Sequence, residues 1–155
     1  MNPENTEPLF DVPIFYPNDT QKLVDASLVQ KVPTEKLGDA LARYMDEMSI
    51  DRKKLTELTG ISDSAIYFYL NNRHEISADY LTAICIALRL HPFRSKYLFS
   101  LTKHHLRFNS FRDMICLNYI LACAFNEDYH LRNCNRELKR LHLNPLTSLF
   151  NPDSE

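Results

Sequence analysis

The chain has 155 residues, 45% of them hydrophobic and 25% charged, which suits one globular domain, or a small one with additions, able to bury its own core. Only two glycines, Gly38 and Gly60, are present, too few for the turns of a barrel or sandwich, so the expected fold class is all-α. The net charge of -2 at pH 7 excludes a chain that is strongly basic overall, yet residues 89–112 carry six basic groups and no acid. That segment either faces phosphate or neutralises the acidic segments around it.

Residues 1–33 read as an N-terminal arm. Pro3, Pro8, Pro13 and Pro17 favour extended backbone, and a short helix over residues 20–31 follows, with Asp19 as its cap. Leu9, Phe10, Ile14, Phe15 and Tyr16 are too apolar for a free tail, so the arm is expected to dock on the body or on a partner subunit. Its acidic, proline-bearing start lacks the basic and apolar run of a signal peptide. No stretch is apolar for long enough to span a membrane, which points to a cytoplasmic protein. The next helix is expected to start near Thr34, with Leu37, Leu41, Tyr44, Met45 and Met48 on one buried stripe. A helix over Arg52–Thr59 follows, capped by Asp51 and broken by Gly60. Ser62 caps another, running to Leu70, and Asn71 to Glu75 form a polar loop.

Ser77 caps a further helix with Leu81, Ile84, Ala87 and Leu88 on one face. Pro92 opens the next, expected to run to Lys103, and two more are expected over residues 110–125 and 131–141, the last stopped by Asn144-Pro145. Ile115, Tyr119, Leu121, Ala122 and Phe125 make the first of these two so apolar that it is either buried within the chain or part of a dimer interface.

Residues 50–91 form a unit. Two short helices meet across a turn that needs a residue tolerating positive φ, supplied by Gly60, and a slender side chain at the approach, Thr56. Leu55, Ile61, Ile66 and Tyr69 lock them together. Ile50, Asp51, Arg52, Leu55, Thr56, Gly60, Ile61, Ser62, Ile66, Asn71, Leu81, Ile84, Cys85, Ala87 and Leu88 match, without gaps, the pattern of the phage-repressor/Cro-type (XRE-like) helix-turn-helix. The chain resembles that family over residues 37–91. The resemblance implies a lambda-repressor-like helical bundle, double-stranded DNA as partner, and a transcriptional regulator that binds as a homodimer.

Two departures stand out. An arginine–glutamate pair that the family often buries is replaced by Met45 and Leu70, a double exchange that leaves no charge unpaired. The family's glutamine at the start of the second helix is Arg52, still placed for a backbone phosphate. By the resemblance, Ser62, Asp63, Ser64, Tyr67 and Phe68 face bases, and Arg52, Asn71, Asn72 and Arg73 hold phosphates. Asp63 can accept from cytosine N4 and Phe68 can pack on a thymine methyl. An aspartate in the groove opposes the phosphate field, however, and none of the base-facing residues is basic. The alternative is that Tyr67 and Phe68 pack on another helix or subunit, making the protein an interaction module on a degenerate helix-turn-helix scaffold.

The domain organisation expected is thus arm 1–33, helix-turn-helix domain 34–103 and C-terminal helical extension 104–155. In the extension Leu131, Asn135, Leu138, Leu141, Leu143, Pro145 and Leu146 resemble an ending found behind some bacterial repressor-type domains, with His142 where glycine is usual. Cys85, Cys116, Cys123 and Cys134 match no zinc or CxxC spacing and read as reduced thiols. The histidines show no ligand spacing, and the chain has no phosphate-loop motif. No metal, no cofactor and no catalytic residue are expected, so an enzyme is not the reading. A pocket for a small effector is a third possibility, with no polar cluster to identify the ligand.

Overall fold

Polar caps followed by apolar stripes recur along the sequence, and each produces a helix. The computed structural model describes residues 35–150. Among the described residues are seven helices and no strand: α1 (Leu37–Glu47), α2 (Arg52–Thr59), α3 (Asp63–Leu70), α4 (Ala78–Ala87), α5 (Pro92–Ser100), α6 (Phe111–Ala122) and α7 (Leu131–Arg140). The arm, its short helix at 20–31 and Thr34 lie outside the described residues. None of these helices is long and apolar enough to cross a membrane.

The caps fall where expected. Asp51 Oδ1 accepts from the Lys54 amide at 2.7 Å, Ser62 Oγ from Ala65 at 3.2 Å and Ser77 Oγ from Tyr80 at 3.1 Å. Two caps are histidines: His91 Nδ1 accepts from the Phe93 amide at 3.1 Å, and His130 Nδ1 from Asn133 at 3.2 Å. Other boundaries move. α1 starts at Leu37, behind a Lys36 that offers no side-chain cap. Met48 lies beyond its end and is 39% exposed, so it leaves the buried stripe. α5 stops at Ser100 rather than Lys103, because Thr102 Oγ1 donates to Phe99 O at 2.8 Å and accepts from the His104 amide at 3.0 Å, turning the chain away.

α4 is the central helix. Leu81, Thr82, Ala83, Ile84, Cys85 and Ile86 are all buried, as befits a helix apolar around most of its circumference. It packs on α2, α6 and α7, while α3 packs on α1 and α2. One cluster runs from Ala40 through Leu55, Ile66 and Ile84 to Ile120, Leu138 and Leu146, so the C-terminal helices share the core of the helix-turn-helix. Each fully buried leucine or isoleucine contributes about 1.5–3 kcal/mol. Met45 and Leu70 both take apolar places in this cluster. All four cysteines are buried and unpaired. Burial pushes the Cys85 thiol up to about 12.

The chain's last described stretch is tied down by Asn135, which is fully buried. Its Oδ1 accepts from the amides of Leu146 and Thr147 at 2.9 and 3.3 Å, and its Nδ2 donates to Thr147 Oγ1 and Leu149 O at 3.0 and 2.8 Å. His142 holds the positive φ, 59°, that a glycine usually supplies after a helix, and its amide donates to Lys139 O at 3.0 Å. The tail then covers the helix-turn-helix: a Cβ on Gly60 would meet Leu149 Cβ at 3.2 Å.

At least four of the six basic groups of segment 89–112 have partners within the fold. Arg89 donates to the carbonyls of Cys123, Asn126 and Glu127 beyond the end of α6. Arg94 pairs with Glu47 at 2.7 Å, Lys103 with Glu75 at 3.2 Å, and Arg112 holds Asp79 through two contacts of 3.0 Å. Of the two readings of this segment, neutralisation describes Arg94, Lys103 and Arg112, while Arg89 ties down carbonyls.

Candidate nucleic-acid interface

The turn between α2 and α3 is fixed by three devices. Gly60 adopts φ 77°, its amide donating to Thr56 O at 2.9 Å. Thr59 Oγ1 donates to Leu55 O at 2.7 Å and accepts from the Ile61 amide at 3.1 Å, which satisfies both roles of that buried hydroxyl. Leu55, Ile61 and Ile66 are buried beneath it, and Tyr69 packs on them half-buried. Thr56, the slender residue at the helix approach, is half-buried.

Once Ile66 is turned inward, helical periodicity sends Ser64, Tyr67, Phe68 and Asn71 outward. Ser62, Asp63, Ser64, Tyr67 and Asn71 are exposed, and Phe68 is half-buried. Tyr67 is central: the Arg52 guanidinium lies 5.1 Å from its ring centroid and that of Arg73 5.8 Å. Arg52 Nε also donates to Asp63 Oδ1 at 2.7 Å. Asp63, at the first turn of α3, therefore carries its own counter-ion as well as the favourable helix dipole. The charge that seemed to oppose DNA is locally balanced. Both partners are about half exposed, so the pair contributes on the order of 0–1 kcal/mol and either ion can exchange it for a phosphate or a base.

The remaining expected site residues divide. Ser62 spends its hydroxyl on the cap. Asn71 Nδ2 donates to Tyr67 O at 2.8 Å and leaves its oxygen outward. Phe68 stacks on His74, centroids 4.4 Å apart. Asn72 works within the fold: its Oδ1 accepts from the Gly38 amide at 2.8 Å and its Nδ2 donates to Asp39 Oδ1 at 3.3 Å. The sequence reading missed this lock between α1 and the end of α3, because only the folded chain brings Gly38 to Asn72. It also passed over Lys53 and Lys54, exposed beside Arg52 on the first turn of α2.

Residues 40–92 match the family model of the Cro/C1-type HTH DNA-binding domain. The chain carries a Cro/C1-type helix-turn-helix domain. Searches of curated proteins and of solved structures found no match. Within the Cro/C1-type domain, α2 and α3 are the two helices of the motif and α4 packs behind α2 as the scaffold. The domain is a DNA-binding type, and its outer α3 face is open. No group of three or more metal-binding side chains gathers among the described residues.

Proposed function

We propose that the protein is a dimeric, sequence-specific transcriptional regulator that reads the major groove with α3. The observation that carries the proposal is the exposed Arg52–Tyr67–Arg73 array on the outer side of a Cro/C1-type motif. In this reading Arg52 and Arg73, with Lys53, Lys54 and Asn71, hold backbone phosphates. Asp63, Ser64, Tyr67 and the exposed edge of Phe68 meet base edges, and Ser62 and Asn72 position them. A DNA-binding domain makes a regulator, rather than an enzyme, the function to test, with the cytoplasm as its place of action. A second reading, a protein-docking module, is favoured by the Tyr67–Phe68–His74 aromatic cluster and the absence of a basic residue within α3 itself.

Fluorescence anisotropy against random duplex DNA, at about 50 and 200 mM salt, separates the two, because phosphate binding weakens steeply with salt. Salt-sensitive binding with an enriched palindrome is expected. Arg52→Ala and Arg73→Ala should weaken binding to every sequence, each lowering the salt slope by about one. Phe68→Ala should alter preference at one base position. A folded protein that binds no DNA at the lower salt overturns the proposal and favours the docking module.

A further inference from the structure

α6 is apolar on two opposite faces. Cys116, Ile120 and Cys123 line the face turned into the core. On the other side stand Phe111 (61% exposed), Met114 (41%), Asn118 and Leu121 (50%), and Phe125 (70%), in the turn after α6 with its ring edge-on to His91, continues the row at the same spacing. Phe108, 64% exposed, precedes the same helix. A contiguous row of exposed large apolar side chains marks a surface that another element or chain covers.

We propose that this outward face is the interface with a second copy of this chain, the two α6 helices packing antiparallel about a two-fold axis at Asn118. The inference deepens the dimeric reading above and rests on it. Three observations select the occupant. The row is nearly the same read in either direction from Asn118: a phenylalanine seven residues to each side, then Met114 four before and Leu121 three after. An isologous two-fold contact needs that self-complementarity, setting Phe111 against the partner's Phe125. The ends of the row are oppositely charged, Arg107 before α6 and Glu127 and Asp128 after it. Antiparallel pairing joins unlike ends, whereas parallel pairing would join like ones. The area also suffices: at roughly 200 Å² per fully exposed aromatic residue, the row supplies roughly 500–600 Å² per chain, and two chains pass the ~1,000 Å² of a specific interface. Asn118 at the axis can hydrogen-bond its own copy and so set the register. α3 packs on α1 and α2, away from this face, and stays open in such a dimer.

The test is sedimentation velocity of the full-length chain at tens of micromolar, alongside its thermal unfolding. The parent is expected to be a dimer. Phe111→Glu and Leu121→Glu should each raise the self-dissociation constant by at least about tenfold and leave the protomer folded. Asn118→Arg, at an exposed polar position, should do the same, because only a residue at the axis meets its own charge. Arg107→Glu should weaken the dimer, and adding Glu127→Arg with Asp128→Arg should restore it. A monomeric parent, or folded Phe111→Glu and Asn118→Arg variants that dimerise like the parent, overturns the proposal. So does a monomeric parent that dimerises once residues 1–33 are removed, since the row then belongs to the arm. A monomer that still binds DNA removes this interface alone, and a dimer that binds none removes the DNA reading alone.

Discussion

Gly38 shows how much one missing side chain can position. A Cβ there would sit 2.4 Å from Tyr69 O and 2.6 Å from Leu70 O, both backbone atoms that cannot step aside. α1 and the end of α3 would have to separate, at a cost of about 1–3 kcal/mol or more. Gly38→Ala is therefore expected to lower the urea midpoint while changing the slope little, and an alanine variant as stable as the parent would discount this contact. Asn72→Ala strips the Gly38 amide of its partner and should also destabilise. A loss of DNA affinity in that variant would report a displaced α3 as readily as a lost phosphate contact. Arg73→Ala, at an exposed position, is the cleaner probe of the interface.

At the scale of the helix, the ends carry the conditional chemistry. His130 caps α7 through Nδ1, which can accept only while that nitrogen is unprotonated. Burial, with Arg89 next, holds its pKa below the ordinary value. The unfolded chain thus takes up the proton first as pH falls, so this contribution to stability is complete well above pH 6.5 and is lost on acidification through that value. The melting temperature should fall between about pH 7.5 and 5.5. His130→Asn, which caps without titrating, should flatten that part of the profile; an unchanged profile would assign the dependence elsewhere. Caps of this kind also mark where the sequence was readable. Asp51, Ser62 and Ser77 announce helix starts because their short oxygens are the usual N-cap acceptors, and the all-α fold followed from them and from the apolar spacing. His91 and His130 do the same work with a side chain that has many other uses. Ser49, Asn72, Arg89 and His142 adopt positive φ without the glycine that would advertise it. The candidate interface was legible as a pattern, Gly60 and Ile61 through Asn71. Its pairings were not, because the Arg52–Asp63 contact spans eleven residues and exists only once the turn has closed.

For the whole molecule, the charge distribution and the C-terminal tail change what each part is for. A basic segment of the sequence became the stitching of α1, α4 and the end of α6, as Arg94, Arg112 and Arg89 found their partners. Arg52, Lys53 and Lys54 of α2 and Arg73 of the loop after α3 are exposed cations beside the candidate interface. Asn135 governs the tail. Replacing it with leucine orphans two buried amides and removes the donor to Thr147 Oγ1 and Leu149 O, so Asn135→Leu should cost about 1–3 kcal/mol and release residues 146–149. Urea unfolding and proteolysis near the C-terminus would detect it; a tail as resistant to cleavage as the parent's would sink this account.

Leu149 resting against Gly60 makes the reading head and the far end of the chain a single lever. A change in the α7 region that moves Leu149 or Thr147 reaches the turn at Gly60 through these contacts, and in the proposed reading it would bias DNA binding. Reciprocity then requires bound DNA to alter the affinity of any ligand that makes such a change by the same factor.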